Sequence, residues 1–177
     1  MRIEAVEGDI TREHVDVVVN AAGPALLGGG GVDGAIHAAA GPGLLAQCRV
    51  VRRTTWPDGL PVGQAVTTGA GDLPARWVVH TVGPDRRRGQ TDPSDLARCF
   101  TSSLDEAHRV GARSVAFPAV SAGVYGWDVV EVAQVAVETV VGWCDEHPEA
   151  IDHVVFVLFS TRAHEVFAAR LARALSR

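Results

Sequence analysis

Apolar and polar positions alternate along the chain in a way that separates short strands from longer helices. Short apolar runs rich in β-branched residues predict six strands. Segments in which apolar residues recur every three or four positions predict five helices. The predicted strands are residues 2–6, 15–19, 65–68, 77–82, 114–117 and 153–160, and the predicted helices are residues 32–40, 44–51, 93–109, 129–144 and 162–175.

Two of the predicted helices begin with polar capping residues. Asp92 precedes Pro93, and Asp128 precedes the apolar stripe of residues 129–144, so each carboxylate can accept from free backbone amides. Glu131 stands where a capping box requires an acid. Strands that alternate with helices predict an α/β fold with a largely parallel sheet and helices on both faces. Ligands of such sheets bind at the carboxyl ends of the strands.

Length and composition indicate an ordinary globular domain. The 177 residues fit a single domain, and 47% are hydrophobic while 21% are charged. The apolar runs are too short to span a membrane, and the first residues contain no apolar signal core. We therefore expect a cytoplasmic protein that has no membrane partner, and we expect a monomer.

Charged residues and cysteines exclude several kinds of chemistry. All 16 basic residues are arginine, which excludes a Schiff-base lysine and a Walker A lysine within this chain. The net charge of −5 argues against broad nonspecific binding of nucleic acid. Cys48, Cys99 and Cys144 form no zinc or disulfide pattern, so we expect small buried hydrophobic residues. The seven histidines show no HExxH pair. We predict neither a metal site nor a cofactor.

Four consecutive glycines, residues 28–31, form the first glycine loop and precede the helix that begins near Val32. Such a loop exposes backbone N–H groups that can bind a phosphate at the start of a helix. A flexible turn is the plain alternative, although four glycines cost much backbone entropy there. Residues 29–34 also match GxGxxG, but nine residues separate the loop from its strand and no acid follows at the required distance. A hydride-transferring enzyme is therefore disfavoured.

Residues 117–128, "FPAVSAGVYGWD", form the second glycine loop between a predicted strand and a predicted helix. The loop again offers small residues and glycines, so the two loops can bind two phosphates. Ser121 is an alternative serine nucleophile. However, "AVSAG" does not match GxSxG, and no His/Asp partner is evident.

Six motifs occur in order over nearly the whole chain. They are "GDIT" (8–11), "VVNAA" (18–22), "LLGGGGVDGAIHAAAG" (26–41), "HTVGP" (80–84), "FPAVSAGVYGW" (117–127) and "VLFS" (157–160). Together they resemble the macrodomain family, which binds ADP-ribose. The aspartate after the glycines resembles the MacroD-like branch, whose members hydrolyse ADP-ribose esters. The resemblance implies one macrodomain over residues 1–177, with a three-layer α/β/α fold and a mixed, largely parallel central sheet.

The same resemblance implies how ADP-ribose is bound. Asp9 accepts from the adenine amino group, Ile10 lines the adenine pocket, and Phe159 lies against the ring. Tyr125 packs on the distal ribose. The plain alternatives are a capping aspartate, a core aromatic residue for Phe159 and an exposed aromatic residue for Tyr125. The residues implied for the two phosphates are Gly29, Gly30, Gly31 and Val32 in the first loop, and Ser121, Ala122, Gly123 and Val124 in the second.

Asp33 is the predicted catalytic residue, because a carboxylate can orient and deprotonate the water that an ester hydrolysis needs. Its plain alternative is an ordinary first-turn aspartate that favours the helix dipole. Asn20 either orients the distal ribose or ties down the loop. His37 lies four residues after Asp33 on the same helix face, where it supports the acid or the ribose, or is structural.

One position departs from the family pattern: the usual motif "NAAN" of the family is "NAAG" in this chain. Gly23 replaces an asparagine that contacts the distal ribose. This replacement lowers the rate of hydrolysis, enlarges the pocket or is compensated by another side chain. We predict a hydrolase that removes mono-ADP-ribose from acidic side chains of proteins and deacetylates O-acetyl-ADP-ribose. The alternatives are a non-catalytic ADP-ribose reader, favoured by Gly23, and a hydrolase of ADP-ribose linked to DNA or RNA.

Overall fold

The computed structural model describes residues 1–176, in which six strands form a single sheet. The strand order is β1-β6-β5-β2-β4-β3, and β3 alone runs antiparallel to its neighbour, β4. The mixed, largely parallel sheet is therefore confirmed. The strands are β1 (Arg2–Glu7), β2 (Val17–Ala21), β3 (Ala65–Gly69), β4 (Trp77–Thr81), β5 (Ser114–Phe117) and β6 (His153–Leu158).

Helices cover both faces of the sheet, as the three-layer prediction requires. The helices in residues 1–176 are α1 (Gly31–Ala40), α2 (Pro42–Arg53), α3 (Pro93–Arg109), α4 (Val129–Glu146) and α5 (Thr161–Leu175). Single 3₁₀ turns occupy Ile10–Arg12, Arg86–Arg88 and Gly123–Tyr125. The helices α1 and α2 pack on one face, and α3, α4 and α5 pack on the other.

Alternating strand residues build a separate core on each face. On the α3–α5 face, Phe117 packs against Phe100 and Phe156, with ring centroids 5.2 and 6.0 Å apart. On the opposite face, Val18 packs in a cluster with Ile36 of α1 and Leu44 of α2. Because both faces are covered, the four inner strands are largely buried, and the loops at the strand ends are the accessible parts of the sheet.

Several element boundaries differ from the sequence prediction by one or two residues, among them the starts of β2 and α2. The strand predicted at residues 15–19 begins at Val17, because the backbone N–H of Asp16 donates to Ser114 Oγ (2.8 Å). Asn20 therefore lies inside β2 rather than after it. The second helix begins at Pro42 rather than residue 44, since proline is well tolerated in the first turn of a helix.

The predicted helix caps are confirmed, but the capping box is wrong. Asp92 accepts from the Ser94 N–H (2.9 Å), and Asp128 accepts from the Val130 N–H (2.8 Å). Glu131 instead binds Arg86 (2.6 Å), which ties α4 to the turn at Arg86–Arg88 after β4.

The cysteines Cys48, Cys99 and Cys144 are buried and free, as predicted. Among residues 1–176, no helix combines the length and the apolar character needed to cross a bilayer.

Candidate active site

The carboxyl ends of five parallel strands lie at one edge of the sheet, and both glycine loops leave from there. The first loop follows β2 and the second follows β5, and these strands are neighbours. Between the loops lies a cleft of about 340 Å³, large enough for a small ligand. We call it the glycine cleft. The predicted site residues that line it are Gly29, Gly30, Gly31, Val32, Asp33, Ser121, Ala122, Val124 and Tyr125.

The first glycine loop presents the open start of α1 to the cleft. Gly28 and Gly31 have φ values of 82° and 58°, in the left-handed region that glycine adopts readily. Gly30 is the N-cap and supplies no side-chain cap, so the first amides of the helix remain free. An anionic ligand in the cleft would satisfy these amides and gain from the helix dipole.

Gly34 allows the first glycine loop to pack directly on α1. A Cβ at this position would lie 2.3 Å from the Gly29 carbonyl oxygen, a backbone atom that cannot turn away. Glycine at position 34 therefore permits the close approach of the loop to the helix.

The second glycine loop is held by a close contact with the segment after β4. Ser121 adopts a φ of 68°, and its Oγ donates to the Pro84 carbonyl (2.8 Å). A Cβ on Gly83 would lie 2.2 Å from this Oγ, so Gly83 permits the approach. Because its hydroxyl hydrogen is bonded to a carbonyl, Ser121 is a structural residue of the loop rather than an activated nucleophile.

Tyr125 lines the cleft from the second glycine loop and is only partly buried. The guanidinium carbon of Arg87 lies 5.7 Å from the Tyr125 ring centroid. Arg87 also binds Asp85 (2.9 Å), and this hydrogen bonding lowers the pKa of the Asp85 carboxyl. The turn at Arg86–Arg88 thus supports the aromatic side chain at the cleft.

The residues predicted to bind adenine lie beyond the glycine cleft, after β1 and β6. Asp9 Oδ1 accepts from the backbone N–H (2.9 Å) and hydroxyl (2.7 Å) of Thr11, which lowers the pKa of Asp9. Phe159 is 93% exposed. These two follow adjacent strands, since Gly8 N–H donates to the Leu158 carbonyl (2.9 Å). Ile10 is buried in the core and lies outside the cleft lining, as does Gly123. The adenine and phosphate roles stay predictions.

Asp33 is buried in the first turn of α1, and its two carboxylate oxygens have different surroundings. Oδ1 accepts from Asn20 Nδ2 (2.8 Å) and lies 3.5 Å from His37 Nε2. Oδ2 accepts no hydrogen bond from residues 1–176, and a Cβ on Gly29 would lie only 3.3 Å from it. The structure therefore brings the three predicted catalytic residues together and leaves Oδ2 open. Asn20 is completely buried and binds the acid.

His80, which the sequence did not indicate as a site residue, lies behind this group. Its Nδ1 is 3.2 Å from Asn20 Nδ2, and the side chain is fully buried. Burial, with a smaller contribution from His37, lowers the pKa of His80 from 6.5 to about 3. The available signal is a histidine within the apolar strand "WVVHT", but its partner is evident only from the pairing of β4 with β2.

Because His80 is buried in its neutral form, we predict that the protein becomes less stable in acid. Below pH 6.5 the unfolded state protonates His80, whereas the folded state does not until about pH 3, so its contribution is lost as the pH falls through this window. We expect this group to lower the free energy of unfolding by about 2 kcal/mol between pH 7 and pH 5. Urea unfolding at both pH values, for wild type and His80→Phe, measures the difference. An equal pH dependence in both proteins would contradict it.

Gly23 lines the cleft near Asp33 and leaves open space there. A Cβ at this position would meet no heavy atom within 4 Å, and the backbone is not in the left-handed region. Neither crowding nor conformation therefore requires glycine.

Within residues 1–176, no group of three or more His, Cys, Asp or Glu side chains is arranged to hold a metal ion.

Comparison with known proteins identifies the class. The sequence model of the Macro domain family matches residues 19–136 of this chain. The chain is 52% identical over 172 residues to a Macro domain-containing protein of Streptomyces nogalater, covering 97% of this chain and 93% of the relative. It is also 52% identical over 159 residues to an O-acetyl-ADP-ribose deacetylase of Cronobacter sakazakii, covering 89% and 87% of the two chains.

Solved structures agree with this result. The Oceanobacillus iheyensis macrodomain with ADP superposes with a TM-score of 0.92 at 39% identity, covering 98% of this chain and 92% of that one. The Trypanosoma brucei macrodomain in complex with ADP-ribose gives a TM-score of 0.86 at 36% identity, covering 94% and 68%. The fold and its cleft are those of a ligand-binding α/β/α domain. This chain belongs to the Macro domain family, which confirms the predicted family and its three-layer fold.

Proposed function

We propose that this protein is an ADP-ribosyl hydrolase that releases mono-ADP-ribose from acidic side chains of proteins and deacetylates O-acetyl-ADP-ribose. The observation that carries the proposal is the carboxylate of Asp33, a residue that lines the glycine cleft: one oxygen is held by Asn20, and the other accepts no hydrogen bond within residues 1–176. Several relatives that are about 50% identical to this chain bear the name O-acetyl-ADP-ribose deacetylase, which supports the same reaction.

Backbone amides supply the proposed diphosphate site. The free N–H groups at the start of α1 face one side of the cleft, and the second glycine loop forms the other side. Two such loops suit two phosphates, because their glycines leave backbone amides accessible at close range. With the diphosphate there, Tyr125 packs on the distal ribose near Asp33, while Asp9 and Phe159 receive the adenine.

The proposed chemistry uses the open oxygen of Asp33. Oδ2 orients a water molecule and accepts one of its protons as the water oxygen attacks the ester carbonyl. Amides of the glycine loops stabilise the negative charge that develops in the transition state. The ester bond breaks, the released ribose oxygen receives the proton from Asp33, and the carboxylic acid product departs and loses its own proton to solvent. For O-acetyl-ADP-ribose the products are acetate and ADP-ribose.

A non-catalytic ADP-ribose reader is the second candidate. The open space at Gly23 favours it, since the cleft lacks a side chain that would help orient a distal ribose beside Asp33. Action on ADP-ribosylated nucleic acid is a further substrate class. The cytoplasmic location, the monomeric state and the independence from metals and cofactors stay predictions.

A substrate panel tests the proposal. The protein is incubated with O-acetyl-ADP-ribose, with a peptide mono-ADP-ribosylated on glutamate, and with an oligonucleotide carrying terminal ADP-ribose, all without added metal. We expect turnover of the first two, and calorimetry should show ADP-ribose binding. Binding without turnover would establish a reader, and turnover of the oligonucleotide alone would establish the third substrate class. Absence of binding would contradict both leading proposals.

A further inference from the structure

We propose that His80 is a positioning residue: it holds the Asn20 carboxamide with its amide nitrogen toward Asp33. The inference rests on the proposed function, because it gives the Asp33 carboxylate the catalytic role. His80 itself does not line the glycine cleft. It acts through Asn20 and touches no reacting atom.

Strand pairing brings the two side chains together. Asn20 of β2 and His80 of β4 are direct partners in a parallel pair, so both point to the sheet face covered by α1 and α2. Both are completely buried. Because buried polar groups cost free energy unless they are hydrogen-bonded, their partners determine their orientation.

Asn20 Nδ2 carries two hydrogens and lies between two acceptors. One hydrogen is donated to Asp33 Oδ1 (2.8 Å), and the other points to His80 Nδ1 (3.2 Å). The amide oxygen is buried and has no partner within residues 1–176. The orientation of the carboxamide therefore depends on the two Nδ2 contacts, and the second contact requires that His80 Nδ1 bears no proton.

The other side of the imidazole ring favours this tautomer. His80 Nε2 lies 3.0 Å from Thr68 Oγ1, and the Thr68 hydroxyl donates to the Gly69 carbonyl (3.0 Å). A hydroxyl has one hydrogen, so Thr68 Oγ1 is left to accept, and Nε2 must supply the proton. Cys48 Sγ is a more distant neighbour of Nε2, at 3.7 Å.

A continuous set of hydrogen bonds thus runs from β3 through His80 and Asn20 to the catalytic carboxylate. Burial keeps the imidazole neutral, which preserves its acceptor at Nδ1. Asn20 then holds Asp33 Oδ1 and leaves Oδ2 for water. A loss of this alignment should slow the chemical step and spare ADP-ribose binding, since the backbone amides of the loops are untouched.

The first experiment reads the tautomer directly. Nitrogen-15 NMR of the histidine side chains distinguishes a protonated Nε2 from a protonated Nδ1, and His80→Asn assigns the resonance. We expect His80 to be neutral and protonated at Nε2 at pH 7. Protonation at Nδ1 would overturn the inference, whatever the activity of the protein.

The second experiment is a double-mutant cycle on O-acetyl-ADP-ribose. His80→Phe, which removes the acceptor at Nδ1, should lower kcat about 10- to 100-fold while the Kd for ADP-ribose changes less than about threefold. His80→Asn, whose Oδ1 can replace Nδ1, should recover most of the rate. In an Asn20→Ala background, His80→Phe should cause no further loss. Fully additive losses, or an unchanged kcat in His80→Phe, would overturn the inference.

Thr68 provides a test that leaves the His80–Asn20 pair unsubstituted, in case His80→Phe does not fold. Thr68→Val removes the acceptor of Nε2 and should lower kcat, whereas Thr68→Ser keeps the hydroxyl and should not. Equal rates in these two variants would contradict the tautomer argument. If Asp33→Asn is inactive while His80→Phe or Thr68→Val is fully active, the positioning role fails and the proposed function stands. If wild type turns over no substrate, the proposed function fails, and if Asp33→Asn is fully active, the catalytic role of Asp33 fails.

Discussion

Asp33→Asn is expected to lower kcat by about 10²- to 10⁴-fold, the usual contribution of a general base. The asparagine has nearly the same shape, and its oxygen can still accept from Asn20, as Asp33 Oδ1 does now. Its amide cannot take a proton from water. Binding of ADP-ribose should persist, because the glycine loops contribute backbone groups rather than this carboxylate.

Asp145→Asn is the matched control for this substitution. Asp145 is an exposed residue near the end of α4, outside the cleft lining, and the change removes the same charge. Single-turnover assays of acetate release, with calorimetry on each protein, measure both quantities. Turnover by Asp33→Asn near the rate of Asp145→Asn would remove Asp33 from the mechanism.

Local sequence patterns predict most of the fold because they reflect interactions between residues that are close together in the chain. The apolar stripe after Asp128 predicts α4 and its cap, since both depend on residues within a few positions of each other. The end of β6 was harder to predict. Phe159 and Ser160 continue the apolar run "VVFVLFS" but lie outside the strand, where the Ser160 hydroxyl accepts from the Ala163 N–H (3.1 Å) to cap α5.

The site was predictable where its geometry is local or matches a known family motif. Asp33 and His37 are four residues apart in one helix, so their proximity follows from helix periodicity. Asn20 and His80 are 60 positions apart and meet only because β2 and β4 pair in a particular register. No local pattern contains that register, so the sequence leaves the role of Asn20 open and does not indicate His80.

Gly34→Ala is expected to affect both stability and ligand binding. The new methyl would lie 2.3 Å from the Gly29 carbonyl oxygen, so the first glycine loop or α1 must shift. We expect the free energy of unfolding to fall by about 1–3 kcal/mol, as for other overpacked positions. ADP-ribose affinity should fall at least about tenfold, because displaced loop amides no longer fit the diphosphate.

Gly142→Ala separates this steric effect from the general effect of replacing a glycine in a helix. Gly142 lies in α4, and a Cβ there would meet no heavy atom within 4 Å. This variant should gain about 0.5–1 kcal/mol of stability, because alanine loses less backbone entropy than glycine, and should bind ADP-ribose normally. Urea unfolding and calorimetry on both variants give the comparison. If Gly34→Ala bound ADP-ribose as tightly as Gly142→Ala, the packing of the first glycine loop on α1 would not be what shapes the phosphate site.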